Sequence, residues 1–210
     1  AVEITVQSGG IIRSRRWTSG LTEAKVIFQD GAIGRIQDGG TLGSRTCPNW
    51  VIASGDVTIE EGDDDPATNP WRATFAARVE GSGNLHFKPT ASGMQMQFGG
   101  GNVDYTGDIY IEQGEVRLSR DTSAGLATQG DIIIRPGAAF VISFRVHELQ
   151  AFTGVTSANQ GTIDPASVTT TLWIECTGAG KGLLLYNDTG STGKDTLYGM
   201  VLGGVAVPAG

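Results

Sequence analysis

The sequence predicts an all-β fold, a single-stranded parallel β-helix (β-solenoid), and three observations carry that prediction. An eight-residue phrase recurs as Gly55-Asp56-Val57-Thr58-Ile59-Glu60-Glu61-Gly62, Gly107-Asp108-Ile109-Tyr110-Ile111-Glu112-Gln113-Gly114 and Gly130-Asp131-Ile132-Ile133-Ile134-Arg135-Pro136-Gly137. Glycine is abundant, at 32 of 210 residues against roughly 7% in an average protein, whereas the seven prolines and scattered apolar residues argue against collagen. Apolar residues alternate at the strand period, and a helix-period stripe is hard to find. Repetition at a fixed interval is the mark of a solenoid, in which each repeat stacks on its neighbours.

The gap between the first two copies is about twice that between the last two, and Gly81-Ser82-Gly83-Asn84-Leu85-His86-Phe87 falls midway in it. Coils that start at Gly55, Gly81, Gly107 and Gly130 are each about 23–26 residues long, within the range of solenoid repeats.

Each element follows from this unit. Glu3-Ile4-Thr5-Val6-Gln7-Ser8-Gly9 has the same alternation and the same terminal glycine, and Gly31-Ala32-Ile33-Gly34-Arg35-Ile36-Gln37-Asp38-Gly39 is a version with one extra residue. The phrase reads as a short strand with one face in and one face out, followed by a glycine corner. A second short strand follows, as in Glu115-Val116-Arg117-Leu118 and Ala139-Phe140-Val141-Ile142. Val57 and Ile59, Ile109 and Ile111, and Ile132 and Ile134 are expected to stack in the core. Glycine suits the corners because that backbone needs positive φ or passes close to the next coil.

After about residue 145 the register fades. Gly154 and Gly161 keep the spacing of Gly130 and Gly137, but Val155 to Gln160 is polar, and Phe144 to Phe152 is the best candidate for a short helical turn. The expected organisation is one elongated unit, with solenoid coils over 1–145. Residues 146–210 continue or cap them, with an irregular or antiparallel segment and an apolar tail strand.

Charge narrows the partners. A net charge of −7 disfavours nucleic acid, which is bound through clustered Lys and Arg that release counterions. The one basic cluster, Arg13-Ser14-Arg15-Arg16-Trp17, is short and reads as a solvated loop or an end-to-end salt-bridge surface before a polyanion contact. No run of about 18 apolar residues is present, so no membrane span is expected. The chain begins at Ala1 without Met, as a processed secreted protein or a shortened chain would. Cys47 and Cys176, far apart in the chain, lack the spacing of a zinc or redox pair; they read first as buried thiols, then as a bridge that needs the C-terminal segment to fold back, and third as a bridge between subunits.

The run from Gly83 to Phe87, followed by Gly101-Asn102-Val103-Asp104-Tyr105-Thr106-Gly107 through Leu118, resembles the autotransporter-associated β-strand repeat. Asn102, Tyr105, Gly107, Ile111, Gly114, Val116 and Leu118 take that pattern's marked positions, and Asp108 departs from it. The close match runs from Gly83 to Leu118, with a looser one over 41–142. The resemblance implies a right-handed parallel β-helix in a secreted or cell-surface bacterial protein, adhesin-like, that displays or spaces something. The chain leaves no room for a membrane barrel after the repeats, which favours a small secreted building block.

A solenoid has open ends whose unpaired backbone can accept another chain. The N-terminal Val2, Ile4 and Val6 begin a strand without a capping helix, and Leu197 to Val207 is an apolar, uncharged tail. That tail is either the last strand of its own domain or a strand supplied to a neighbour. The leading functional expectation is therefore a non-enzymatic, extracellular structural protein that associates head to tail with copies of itself. The expected self-association residues are Val2, Ile4, Val6, Tyr198, Met200, Val201, Leu202, Val205 and Val207.

The alternative is a secreted carbohydrate-binding or polysaccharide-acting β-helix with surface glycans as partners. Such chemistry needs paired carboxylates or acidic residues holding calcium. The only dense acidic run is Glu61-Gly62-Asp63-Asp64-Asp65, near Trp71 and Arg72, and it reads first as a solvated loop. His86 and His147 lack a ligand or nucleophile partner at a recognisable spacing. Trp17, Trp50, Trp71 and Trp173 would make a sugar platform only if they shared one face. No catalytic, cofactor-binding or phosphate-cradling motif is found, and Gly99-Gly100-Gly101 lacks the lysine that a phosphate cradle requires.

Overall fold

The computed structural model describes residues 2–14, 25–37, 41–42, 50–62, 73–77, 79–89, 94–98, 105–118, 130–143, 171–174, 183–186, 199–202 and 205–206. The described residues form strands and turns with no helix, and the strands stack as a parallel β-solenoid.

Three sheets run along the stack. The first contains β1 (Glu3–Val6), β3 (Lys25–Phe28), β6 (Trp50–Ile52) and β9 (Val79–Gly81). The second and longest, here sheet B, orders β2 (Ile11–Ser14), β4 (Ile33–Ile36), β7 (Asp56–Glu61), β10 (Asn84–Lys88), β12 (Ile109–Ile111), β14 (Ile132–Ile134), β16 (Thr171–Ile174), β18 (Gly199–Leu202) and β19 (Val205–Ala206). The third holds β5 (Thr41–Leu42), β8 (Ala73–Ala77), β11 (Met94–Phe98), β13 (Glu115–Leu118), β15 (Ala139–Ser143) and β17 (Leu183–Tyr186). Among these strands every pairing is parallel except β18 with β19, which is antiparallel.

The alternation in sequence becomes one buried and one outward row. Val57, Leu85, Ile109 and Ile132 are successive register partners, as are Ile59, Phe87, Ile111 and Ile134. All eight are buried. Full burial of such a side chain is worth about 1.5–3 kcal/mol, so the inward rows hold the coils together. Phe75 of the third sheet meets Phe87 edge-on, ring centroids 5.5 Å apart, across the solenoid interior.

The register corrects the expected coil boundaries. The glycine that lines up with Gly55, Gly107 and Gly130 is Gly83, not Gly81, because Asp56 pairs with Asn84 and Leu85 with Ile109. The coil from Gly55 to Gly83 is therefore longer than the expected repeat, and the one from Gly83 to Gly107 is shorter than its predecessor. The variation is wider still at the two ends. Ile11 pairs with Ile33 across the shortest parallel step in sheet B, whereas the step from Ile132 to its partner Leu172 is nearly twice as long. The ladder fixes only the residues that hydrogen-bond; corners absorb insertions without disturbing it.

The N-terminal strand is also displaced from its expected place. Glu3–Val6 pairs with Lys25–Phe28 in the first sheet, and it is Ile11–Ser14, after a corner at Gly9, that enters sheet B. In β4 the extra residue shifts the pairing by one, so Ile33 faces Thr58 and Gly34 faces Ile59. Beyond the fading register, β16 pairs in parallel with β14, β17 with β15, and β18 with β16. Phe144 to Phe152, Val155 to Gln160, Gly154, Gly161 and both cysteines lie outside the described residues.

Candidate functional site

Two places on the solenoid gather groups that could act: the outward face of sheet B, and the ends of the stack. Outward residues of a parallel stack form rows, one member per coil, about 4.8 Å apart. On sheet B one such row runs Ile33, Thr58, His86, Tyr110 and Ile133. The next row outward carries Arg35, Glu60 and Lys88 in register, and Glu112 and Arg135 follow β12 and β14.

At the corner before this face a ladder of Asx side chains ties successive coils. The Asp56 N–H donates to Asp30 Oδ1 (2.8 Å), Asn84 Nδ2 to Asp56 Oδ1 (2.9 Å), the Asp108 N–H to Asn84 Oδ1 (3.1 Å) and the Asp131 N–H to Asp108 Oδ1 (2.8 Å). Each side-chain oxygen thus satisfies a group one coil further on. The sequence phrase held the signal, a polar Asx directly after the corner glycine, but its role as an acceptor for the next coil was missed.

His86 is the densest point of the face. Its ring lies flat on Tyr110, centroids 4.4 Å apart with planes 2° from parallel, and the Arg135 guanidinium carbon lies over the Tyr110 ring, 5.2 Å from its centroid. Nδ1 is 2.6 Å from Glu112 Oε1, and Arg135 Nε stands 3.7 Å from Glu112 Oε2. Nε2 is shut off from solvent and lies 3.3 Å from Asp56 Oδ1, near enough for attraction but without hydrogen-bond geometry. The Asn84 amide, which donates to it, and then the His86 ring hold the Asp56 carboxyl below its ordinary range. Burial, followed by the charge of Asp108, pushes the Tyr110 hydroxyl up.

This arrangement ties coils together. The histidine nitrogen left over after the Glu112 contact does not reach solvent, so it is closed to a substrate proton. Tyr110 is engaged by the His86 stack and the Arg135 guanidinium. Among the described residues no group of three or more His, Cys, Asp or Glu is placed to hold a metal ion. Of the acidic run, Glu61 is buried at the end of β7 and Asp63 to Asp65 lie outside the described residues. Trp50 and Trp173 belong to different sheets, while Trp17, Trp71 and His147 lie outside the described residues.

The ends of the stack differ from its flanks. Ile4 and Ile12 pack against the core but are only partly buried, whereas Val26, the register partner of Ile4, and Ile36, in the strand beside Ile12, are sealed. Val2 is 64% exposed and Ile11 42%. At the other end β19 folds back on β18, pairing Val205 with Leu202 and Ala206 with Val201, and Val205 is 69% exposed.

No family model, curated protein or solved structure matches this chain. The β-solenoid arrangement rests on its own register, and membership of the autotransporter-associated repeat family belongs to the proposal below. No helix among the described residues is long and apolar enough to cross a membrane.

The expected self-association residues fall as follows. Val2 precedes β1 and is exposed, Ile4 within β1 is partly buried, and Val6 at its end is buried. Met200, Val201 and Leu202 lie in β18, in register with Leu172, Trp173 and Ile174. Val205 lies in β19, and Tyr198 and Val207 are outside the described residues. Ile11, exposed on β2, is not among the expected residues, because the sequence places the opening strand of the repeat at Glu3–Val6.

Proposed function

We propose that this chain is an extracellular structural protein, a β-solenoid subunit that associates head to tail with copies of itself into a filament or surface array. One observation carries the reading. Among the described residues the exposed large apolar side chains are Val2, Ile11 and Val205, and all belong to the two ends of the stack. In the middle of sheet B the corresponding positions are Thr58, His86 and Tyr110, polar and half-buried.

An uncovered terminal coil exposes both apolar surface and unpaired strand edge, and each favours the addition of another chain. Two different ends meeting make a heterologous contact, and one that does not close on itself generates a helical polymer. The resemblance to autotransporter-associated repeats supports a secreted or cell-surface setting. A surface-glycan role has less support, because Tyr110 is already stacked on His86 with the Arg135 guanidinium over its ring.

Sedimentation velocity across a hundredfold range of protein concentration tests this reading. The proposal expects the weight-average sedimentation coefficient to rise with concentration toward long oligomers. A single monomeric boundary throughout would remove it.

A further inference from the structure

On the reading that copies associate head to tail, we propose that the junction is made in sheet B, where β2 of one copy pairs antiparallel with β19 of the next.

Among the described strands, sheet B alone reaches from the first coil to the last. The first sheet stops at β9 and a single bridge from Gly81 to Tyr105, and the third begins at β5 and ends at β17. A ladder that continues from copy to copy therefore has one place to do so. Its terminal strands are β2 and β19.

The edge of β2 is set up to accept a strand. The Ile33 N–H donates to the Gly10 carbonyl at 2.9 Å and the Gln37 N–H to the Ser14 carbonyl at 2.8 Å, so the even-numbered residues face β4. Backbone groups alternate in direction along a strand, so Ile11 and Arg13 turn their N–H and C=O toward the open end. At the far end one edge of β19 is taken by β18 and the other lies outermost in the sheet.

Strand direction follows from the topology. β2 runs parallel to β18 through the intervening ladder, and β19 runs against β18. A second copy shifted along the axis consequently presents its β2 antiparallel to β19. Through the ladder Ile11 shares a face of sheet B with Val201 and its partner Ala206, so the same shift brings Ile11 and Ala206 into one cross-strand neighbourhood.

Two variants and a cross-link test the junction. Arg13→Pro removes an N–H that faces away from β4, a position where an edge strand tolerates proline, and Arg13→Ala controls for the lost charge. Sedimentation velocity should show association of Arg13→Pro shifted at least tenfold to higher concentration, with wild-type circular dichroism, while Arg13→Ala behaves as wild type. Separately, Ile11→Cys and Ala206→Cys proteins are mixed and oxidised beside the wild type, whose two native cysteines set the baseline. The expected product is the mixed disulfide dimer. If wild type associates and folded Arg13→Pro associates equally, or if Ile11→Cys pairs only with itself, the sheet B junction is overturned while self-association stands. If Arg13→Pro does not fold, the cross-link decides. Wild type that stays monomeric overturns the head-to-tail reading itself.

Discussion

His86 and Tyr110 lie face to face, 4.4 Å between centroids and 2° from parallel, because they are register partners on adjacent coils of sheet B. The same histidine hydrogen-bonds Glu112 one coil on and stands beside Asp56 one coil back. A single side chain thus spans three coils. Replacing it removes an aromatic stack and a hydrogen bond to a charged group, so His86→Ala should lower stability by about 2 kcal/mol. Urea unfolding followed by circular dichroism checks this, and a midpoint unchanged from wild type would show that the stack contributes nothing.

The Asp56 carboxyl gives this flank a pH dependence of known sign. Its folded value lies below the ordinary 3.8, through the Asn84 amide first and the His86 ring second. A depressed carboxylate contributes stability that is present above the unfolded value and lost as pH falls through the folded one. Wild type should therefore be more stable than Asp56→Asn at pH 6, with the gap closing below pH 3.8. Thermal melts across that window measure it, and a gap that stays constant with pH would contradict the assignment.

Asn84 sits between Asp56 and Asp108 in the Asx ladder, donating to one and accepting from the N–H of the other. Asn84→Asp keeps the acceptor, loses the donor and makes the ladder an unbroken row of five carboxylates. A cost on the order of 1–2 kcal/mol is expected at pH 7, relieved in acid as the introduced carboxyl protonates. Asn84→Ala should cost a similar amount without the recovery. Stability of both variants at pH 7 and pH 4 distinguishes them.

Two glycines of the recurring phrase are required for different reasons. A Cβ at Gly107 would lie 2.0 Å from the Gly83 carbonyl oxygen, so alanine there must force two coils apart. Gly137 has φ +80 and open space around it, so alanine meets only backbone strain. Gly137→Ala should cost about 1–2 kcal/mol and Gly107→Ala about 3 kcal/mol or more. Equal costs, read from denaturant midpoints, would mean the coils are not in close contact at Gly107.

The core rows and their fold class were legible because the pattern that makes a solenoid is local. Val57, Ile59, Ile109, Ile111, Ile132 and Ile134 are buried on one face as their alternation predicts, and Glu115–Leu118 pairs with Ala139–Ile142 as the second strand. What was not legible depends on which residues meet across coils. Gly81 and Gly83 both look like corner glycines, and only the pairing of Asn84 with Asp56 chooses between them. The first sheet was missed because Lys25–Phe28, Trp50–Ile52 and Val79–Gly81 share no phrase; their common feature is position on the coil. His86 looked isolated in sequence because its partners, Glu112 and Asp56, each lie a full coil away along the chain.

Negative-stain electron microscopy of the native protein at micromolar concentration tests the central claim, end-to-end association of solenoids, most directly. Unbranched fibres one solenoid wide are the predicted result, with the exposed Val2, Ile11 and Val205 ends consumed in the contacts between subunits. A field of separate short particles at every concentration would contradict it.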